Sequence, residues 1–267
     1  MLDRFSPATR EWFLGAFSAP TAAQTGAWEA VSGGDHALVV APTGSGKTLA
    51  AFLWAIDRLT RTIEPGAARK TSVLYVSPLK ALAVDVERNL RSPLVGITQT
   101  AKRLGTEPPV VTVGVRSGDT PAPERRSMSK NPPDILITTP ESRFLMLTSA
   151  ARESLSEVTT VIVDEVHAVA ATKRGAHLAV SLDRLDTLLP KPAQRIGLSA
   201  TVRPREEVAR FLAGGRAVSI VAPPSTKKFD LRVVVPVEDM AQIPPKEPGL
   251  REGSAASSTA PEQGSIW

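Results

Sequence analysis

Seven short runs rich in Val, Ile or Leu recur along the chain with helical segments between them, and this alternation limits the fold more than any other feature. The runs are His36–Ala41, Val73–Ser77, Val110–Val115, Asp134–Thr138, Thr160–Asp164, Arg195–Ser199 and Ala217–Val221. Nearly continuous apolar runs suit strands buried on both faces, as in a parallel sheet; a half-exposed antiparallel sheet would alternate apolar with polar. Helical patterns fall at Gly46–Thr62, Leu79–Leu90, Thr172–Leu189 and Pro204–Ala213, and two more precede the first strand. The expected fold class is therefore α/β, a mostly parallel sheet with helices on both faces. Pro204 stands where a helix start tolerates a missing N–H, and Gly214-Gly215 stands where that helix should stop. No internal repeat is apparent.

Beyond about Ala222 the character changes. Phe229–Val237 could form one more strand, but Ile243–Gly264 is rich in Pro, Gly, Ser, Ala and charge, with few apolar residues to offset ordering. It reads as a linker. Only Ser265-Ile266-Trp267 follows, so the expectation is one domain over residues 1–237 and a flexible segment over 238–267 leading towards a second domain.

The 267 residues are 42% hydrophobic and 22% charged, enough for a full core. A net charge of +5 and a pI near 9.7 suit a polyanionic partner, although a basic surface alone does not establish one. With no cysteine, disulfides, thiolate metal sites and a cysteine nucleophile are excluded, and three scattered histidines argue against a zinc cluster. Met1-Leu2-Asp3-Arg4 lacks the basic start and apolar run of a signal peptide, and no apolar stretch approaches the ~20 residues of a membrane helix. The expected location is cytoplasmic, with no membrane partner.

Chemistry enters at Ala41-Pro42-Thr43-Gly44-Ser45-Gly46-Lys47-Thr48, directly after an expected strand and opening a helix. Glycines let backbone N–H groups turn inward around phosphates, Lys47 would reach the β and γ phosphates, and the Thr48 hydroxyl would ligate Mg²⁺. The usual first Gly of such a loop is Ala41. A second signal is Val161-Ile162-Val163-Asp164-Glu165-Val166-His167, two adjacent carboxylates leaving the carboxyl end of an apolar strand, the edge where open α/β sheets bind ligands. Asp164 would hold Mg²⁺ and Glu165 would orient and deprotonate an attacking water.

These residues resemble the superfamily 2 helicases, in which Asp164-Glu165-Val166-His167 is a DExH box and the loop at Ala41 is motif I. Ser77-Pro78-Leu79-Lys80-Ala81-Leu82 resembles motif Ia, Thr138-Thr139-Pro140-Glu141-Ser142 motif Ib, and Ser199-Ala200-Thr201 motif III, all in the family's order. Phe5, Pro20-Thr21 and Gln24 resemble the Q motif, whose Gln reads adenine while an aromatic ring packs on the base; Phe5 is equally readable as a core residue. The chain is more particularly similar to the large helicase-related (Lhr) family of DNA helicases, through Arg116-Ser117-Gly118-Asp119-Thr120, Lys173-Arg174-Gly175-Ala176-His177-Leu178, Ser181-Leu182-Asp183-Arg184-Leu185 and the DEVH form of the box.

The resemblance implies the first RecA-like domain of an ATP-dependent helicase, with ATP and Mg²⁺ as cofactors. It implies nucleotide contacts at Gln24, Thr43, Gly44, Ser45, Gly46, Lys47 and Thr48, metal ligation by Thr48 and Asp164, and catalysis by Lys47, Asp164 and Glu165. Pro78, Leu79, Lys80, Arg116, Gly118, Thr139, Pro140 and Glu141 would follow the backbone of single-stranded or partly duplex nucleic acid, with DNA favoured and little base specificity. His167, Ser199, Ala200 and Thr201 would couple the two sites. DNA repair is a family-level expectation. Gly264-Ser265-Ile266-Trp267 resembles the opening of a second RecA-like domain, and that domain's arginine finger contributes about 10³ to 10⁵ in rate. The chain by itself is therefore expected to bind Mg-ATP weakly and hydrolyse it slowly. Two other readings stay open: a stand-alone ATP-dependent nucleic-acid binding module or inactive fragment, and an unrelated P-loop enzyme such as a transporter ATPase, whose Leu-Ser-Gly-Gly-Gln signature is not found.

Overall fold

The computed structural model describes residues 1–63, 68–107 and 110–224. All seven apolar runs become strands: β1 (His36–Val40), β2 (Val73–Val76), β3 (Val113–Arg116), β4 (Ile135–Thr138), β5 (Thr160–Val163), β6 (Gln194–Ser199) and β7 (Val218–Val221). They form one sheet in the order β3-β4-β2-β5-β6-β1-β7, and every pairing is parallel. The helices are α1 (Pro7–Ala16), α2 (Ala22–Ser32), α3 (Lys47–Thr62), α4 (Lys80–Arg103), α5 (Ala122–Lys130), α6 (Pro140–Leu147), α7 (Lys173–Leu188) and α8 (Arg205–Ala213).

Because successive strand residues face opposite sides, β1, β2, β4 and β5 each feed two cores. Ala37, Val39, Val73, Tyr75 and Ile162 pack with Trp28, Phe52 and Ile97 of α2, α3 and α4. Leu38, Val40, Leu74, Val76, Val161 and Val163 pack with Met146, Leu182 and Leu212 of α6, α7 and α8. That is why the runs are apolar throughout.

Three helices depart from the expected pattern. The helix expected to end at Leu90 continues through Pro93 to Arg103, since Leu90, Pro93, Ile97 and Ala101 keep one buried face. The Trp12 indole of α1 lies where a Cβ on Gly96 would stand, so α1 packs against the far half of α4. α5 lies in a stretch for which no helix is expected, and α6 starts within the string that resembles motif Ib. Pro140 is the first residue of α6, and the Thr139 hydroxyl caps it by accepting from Ser142 N at 3.3 Å. Among the described residues no helix is long and apolar enough to cross a membrane. The strand expected at Phe229–Val237, the linker and the boundary after residue 237 lie outside the described residues.

Register decides what the fold presents. Val40 pairs with Ser199, Val163 with Gly197 and with Val76, and Thr138 with both Val76 and Arg116. The carboxyl ends of six strands therefore finish together, and the loop after β1, the DEVH box, motifs Ia, Ib and III and the Arg116–Thr120 string leave from one edge. A cavity of about 770 Å³ lies at the opposite edge, lined by His36, Val73, Thr160 and Gln194 at the strand starts, and contains none of these motif residues.

Candidate functional site

The loop after β1 is held open by its glycines. Gly44 and Gly46 have φ of 80° and 78°, and a Cβ on Gly44 would meet nothing within 4 Å. A Cβ on Gly46 would stand 2.5 Å from Gln24 Nε2, so the missing side chain makes room for Gln24. The Ser45 hydroxyl is buried without a hydrogen-bond partner among the described residues. Lys47, in the first turn of α3, is 6% exposed, and Thr48 beside it is half-buried, whereas Thr43 is exposed at the loop's start. An open backbone cradle, an orphaned hydroxyl and a buried cation at a helix start suit polyphosphate.

Gln24 sits in a capping box: its Oε1 accepts from Thr21 N at 2.9 Å and its N–H donates to Thr21 Oγ1 at 3.2 Å. The Thr21 hydroxyl also donates to Ser45 O at 2.8 Å, tying α2 to the phosphate loop. Gln24 is 3% exposed, so its contact here is with the loop. Phe5 requires a correction. It is 5% exposed and packs edge-on against Trp28 and Trp54, with ring centroids at 5.0 and 5.5 Å. It is a core residue, and its ring is not free to stack on a base. Phe17, seven residues before Gln24, is the partly exposed aromatic there.

At the end of β5, Asp164 is 6% exposed and each carboxylate oxygen has a donor: Glu165 N to Oδ1 at 2.9 Å, and the Tyr75 hydroxyl to Oδ2. Burial first, and then the Asp164 charge, push the Tyr75 phenol far above its ordinary pKa, so it stays protonated. Glu165 has φ 43° and ψ 45°, the left-handed region that non-glycine residues seldom occupy. His167 Nδ1 accepts from Ala200 N at 3.3 Å and lies 3.2 Å from Ser199 Oγ and 3.3 Å from Glu165 Oε2. The Ala200 N–H, the Ser199 hydroxyl and a Glu165 carboxylate oxygen converge on this one ring nitrogen. Ser199, His167 and Glu165 thus form one chain of contacts, while Thr201 is exposed beyond it.

Thr48 and Asp164 offer hard oxygen donors of the kind Mg²⁺ takes. Among the described residues no group of three or more His, Cys, Asp or Glu side chains could hold a metal ion. Mg²⁺ binds through one or two protein oxygens together with substrate phosphates.

The residues expected to meet nucleic acid line the rest of the edge. Leu79 is 58% exposed. The Lys80 ammonium donates to both carboxylate oxygens of Asp119, at 2.7 and 2.8 Å, joining α4 to the loop after β3. Arg116 ends β3 with its Nη1 buried and without a partner among the described residues, and Gly118 O accepts from Arg125 Nη2 at 3.1 Å. Glu141 is bound face to face by Arg174, Nε to Oε1 at 2.5 Å and Nη2 to Oε2 at 2.9 Å, and Arg174 Nη1 donates to Pro78 O at 2.6 Å. Hydrogen bonding from Arg174 holds the Glu141 carboxyl down at about 2, against the opposing effect of burial. The sequence marks Arg174 only as part of a family string; in the fold it fastens motif Ia to motif Ib.

Comparison with known proteins agrees with this geometry. A family model for the DEAD/DEAH box helicases matches residues 21–210. The Lhr helicase/probable uracil glycosylase of Mycolicibacterium smegmatis is 71% identical over 243 residues, which cover 91% of this chain and 16% of that protein. The Lhr helicase/uracil glycosylase of Escherichia coli is 55% identical over 270 residues, covering 99% of this chain and 17% of that protein. Among solved structures, that of Mycobacterium smegmatis helicase Lhr bound to ssDNA and AMP-PNP superposes with a TM-score of 0.84 at 71% identity, over 90% of this chain and 30% of that one. The sheet is accordingly RecA-like, as the motifs led one to expect.

Proposed function

The chain belongs to the DEAD/DEAH box helicase family, and on that premise we propose that it is the ATP-binding RecA-like domain of an Lhr-type DNA helicase. The observation that carries the reading is the placement of the phosphate loop and the Asp164-Glu165 pair at one sheet edge. They are separated only by β6, whose Ser199 reaches His167. Two strand spacings, roughly 10 Å, are what a triphosphate must bridge.

In this reading the amides of residues 43–46 and the Lys47 ammonium hold the phosphates, and Glu165 orients the attacking water and takes its proton. Mg²⁺ held by Thr48, Asp164 and the phosphates would neutralise charge on the transferring group. Gln24 acts on the nucleotide site through the loop it supports. Leu79, Lys80, Arg116, Gly118 and the capped start of α6 at Thr139-Pro140 follow the nucleic-acid backbone. Glu141 serves that surface through Arg174. His167, Ser199 and Ala200 couple the two sites, with Thr201 at the edge of that group. The likeness to an Lhr solved with ssDNA supports DNA over RNA. The domain is proposed to span residues 1–237, with 238–267 leading to a second RecA-like domain, and to work in the cytoplasm, where ATP and nucleic acid meet.

Nucleotide binding and ATP turnover, with and without single-stranded DNA, test this on wild type, Lys47→Ala and Glu165→Gln. Mg-ATP binding is expected in wild type and Glu165→Gln and lost in Lys47→Ala, and any turnover of wild type should be lost in both variants. Binding that survives Lys47→Ala unchanged would sink the proposal.

A further inference from the structure

We propose that Tyr75 is a positioning residue for the metal-binding carboxylate: its hydroxyl fixes Asp164 in the orientation that serves Mg²⁺ on bound ATP. The inference rests on the nucleotide reading above and adds a residue that none of the helicase motifs contains.

Tyr75 is the third residue of β2, in register with Ile162 of β5. Asp164 lies two residues after Ile162, so the strand period puts its side chain on the same face as the Tyr75 ring. The ring is fully buried and stacks on Phe52 of α3, with centroids 4.9 Å apart and planes at 27°. Phe52 is five residues after Lys47 on the helix that the phosphate loop opens. The ring is thus fixed from the nucleotide side while its hydroxyl donates to Asp164 Oδ2.

Elsewhere β2 is Val73, Leu74 and Val76, and a phenol in such a strand is costly unless its hydroxyl is bonded. Packing alone would be met by phenylalanine. The added oxygen meets one group, the Asp164 carboxylate, whose other oxygen is already held by Glu165 N. One donor on each oxygen fixes the carboxylate plane, and each oxygen keeps a further lone pair for the metal. An unheld carboxylate would have to lose rotamer freedom on every metal-binding event, and removing such an orienting partner lowers metal affinity about 10- to 100-fold.

Tyr75→Phe keeps the ring and its stack and removes one hydroxyl. Binding of a fluorescent ATP analogue is measured on the 267-residue chain in EDTA and through a Mg²⁺ titration, with thermal unfolding as the check on folding. The variant should match wild type in EDTA, and the Mg²⁺ concentration for half-maximal tightening should rise about ten-fold or more. A second measurement does not depend on the variant folding. Tyr75 is the only tyrosine in the chain, so global 3-fluorotyrosine labelling gives a single ¹⁹F resonance. That resonance should move on adding Mg-ATP, stay in place with ATP in EDTA, and lose its Mg²⁺ response in Asp164→Asn. Wild type that binds Mg-ATP, with an unshifted Mg²⁺ midpoint in folded Tyr75→Phe or a ¹⁹F signal indifferent to Mg²⁺, overturns the positioning role alone. Wild type that does not bind Mg-ATP overturns the nucleotide reading, and the role of Tyr75 with it.

Discussion

Replacing Arg174 with alanine should loosen motif Ia from motif Ib, and the size of the effect can be worked from three bonds. The guanidinium is 37% exposed and the Glu141 carboxylate 54% exposed, so solvent screening keeps their pairing within the range of about 0 to 1 kcal/mol, with the two-bond geometry at its upper end. The bond from Nη1 to Pro78 O adds about 0.5 to 1.5 kcal/mol. A loss of about 1 to 2 kcal/mol follows, a shift of roughly half a molar in the urea midpoint. The pH dependence has a defined sign. The folded-state pKa of Glu141 is depressed to about 2 from an ordinary 4.5, so its contribution is complete above pH 4.5 and is lost as pH falls from there towards 2. Urea unfolding of wild type and Arg174→Ala at pH 7, 5 and 4 should therefore give a constant gap at the two higher values and a narrower one at pH 4. Single-stranded DNA affinity should fall at pH 7 because Pro78 and Glu141 no longer move together. A gap that is absent at pH 7, or that widens on acidification, would refute the reasoning.

Two further substitutions probe other parts of the structure. Gly46→Ala combines a φ of 78° with a Cβ placed 2.5 Å from Gln24 Nε2; it should cost about 1 to 2 kcal/mol by left-handed strain and weaken Mg-ATP binding, and unaltered binding would contradict the packing of Gln24 on the loop. Among the described residues, the fully buried Arg143 has no partner for Nε or Nη1 and makes one bond, Nη2 to Leu178 O at 2.9 Å. Arg143→Leu should accordingly raise stability by about 1 to 3 kcal/mol in urea unfolding, and a loss of stability would mean that the guanidinium is satisfied in a way these contacts do not explain.

Much of this was legible from residue order alone, and the exceptions have physical causes. Buried parallel strands announce themselves as apolar runs, which is why all seven were found; β3 starts later than expected because Val110 is 68% exposed. Helices set by tertiary packing were harder. Pro93 marks a helix stop by its missing N–H, yet the buried face through Ile97 and Ala101 carries α4 past it. Motif spacing located the phosphate loop and the carboxylate pair, but spacing does not say which partner a charged side chain meets. Arg174 meets Glu141 across 33 residues and Pro78 across 96, and Tyr75 meets Asp164 across 89. Such pairings exist only once register has brought strand ends together. Phe5 shows the same limit, since an aromatic near a motif can belong to the core.

In the proposed reading nucleotide and nucleic acid are linked through few movable parts, and the register supports that reading. Ser199 O accepts from Ala41 N at 3.1 Å, Asp164 N donates to Val76 O at 2.9 Å, and Ser77 N donates to Thr138 O at 2.9 Å. With the parallel pairing of Val163 and Gly197 joining β5 to β6, the ends of β1, β6, β5, β2 and β4 are laced in one line, and a packed parallel sheet has little freedom to bend along it. What can change lies just beyond the lacing: the His167 contacts with Ser199 and Glu165, the Lys80–Asp119 pair and the Arg174 clasp. Glu165 stands at the head of these with a backbone conformation that costs about 1 to 2 kcal/mol for a non-glycine residue. It is kept there because its N–H is taken by Asp164 and its carbonyl accepts from Ala168 N at 2.8 Å. A residue held out of its preferred conformation by its neighbours responds when those neighbours move, so a change at Asp164 on one side or at Ser199 on the other would reach the same carboxylate.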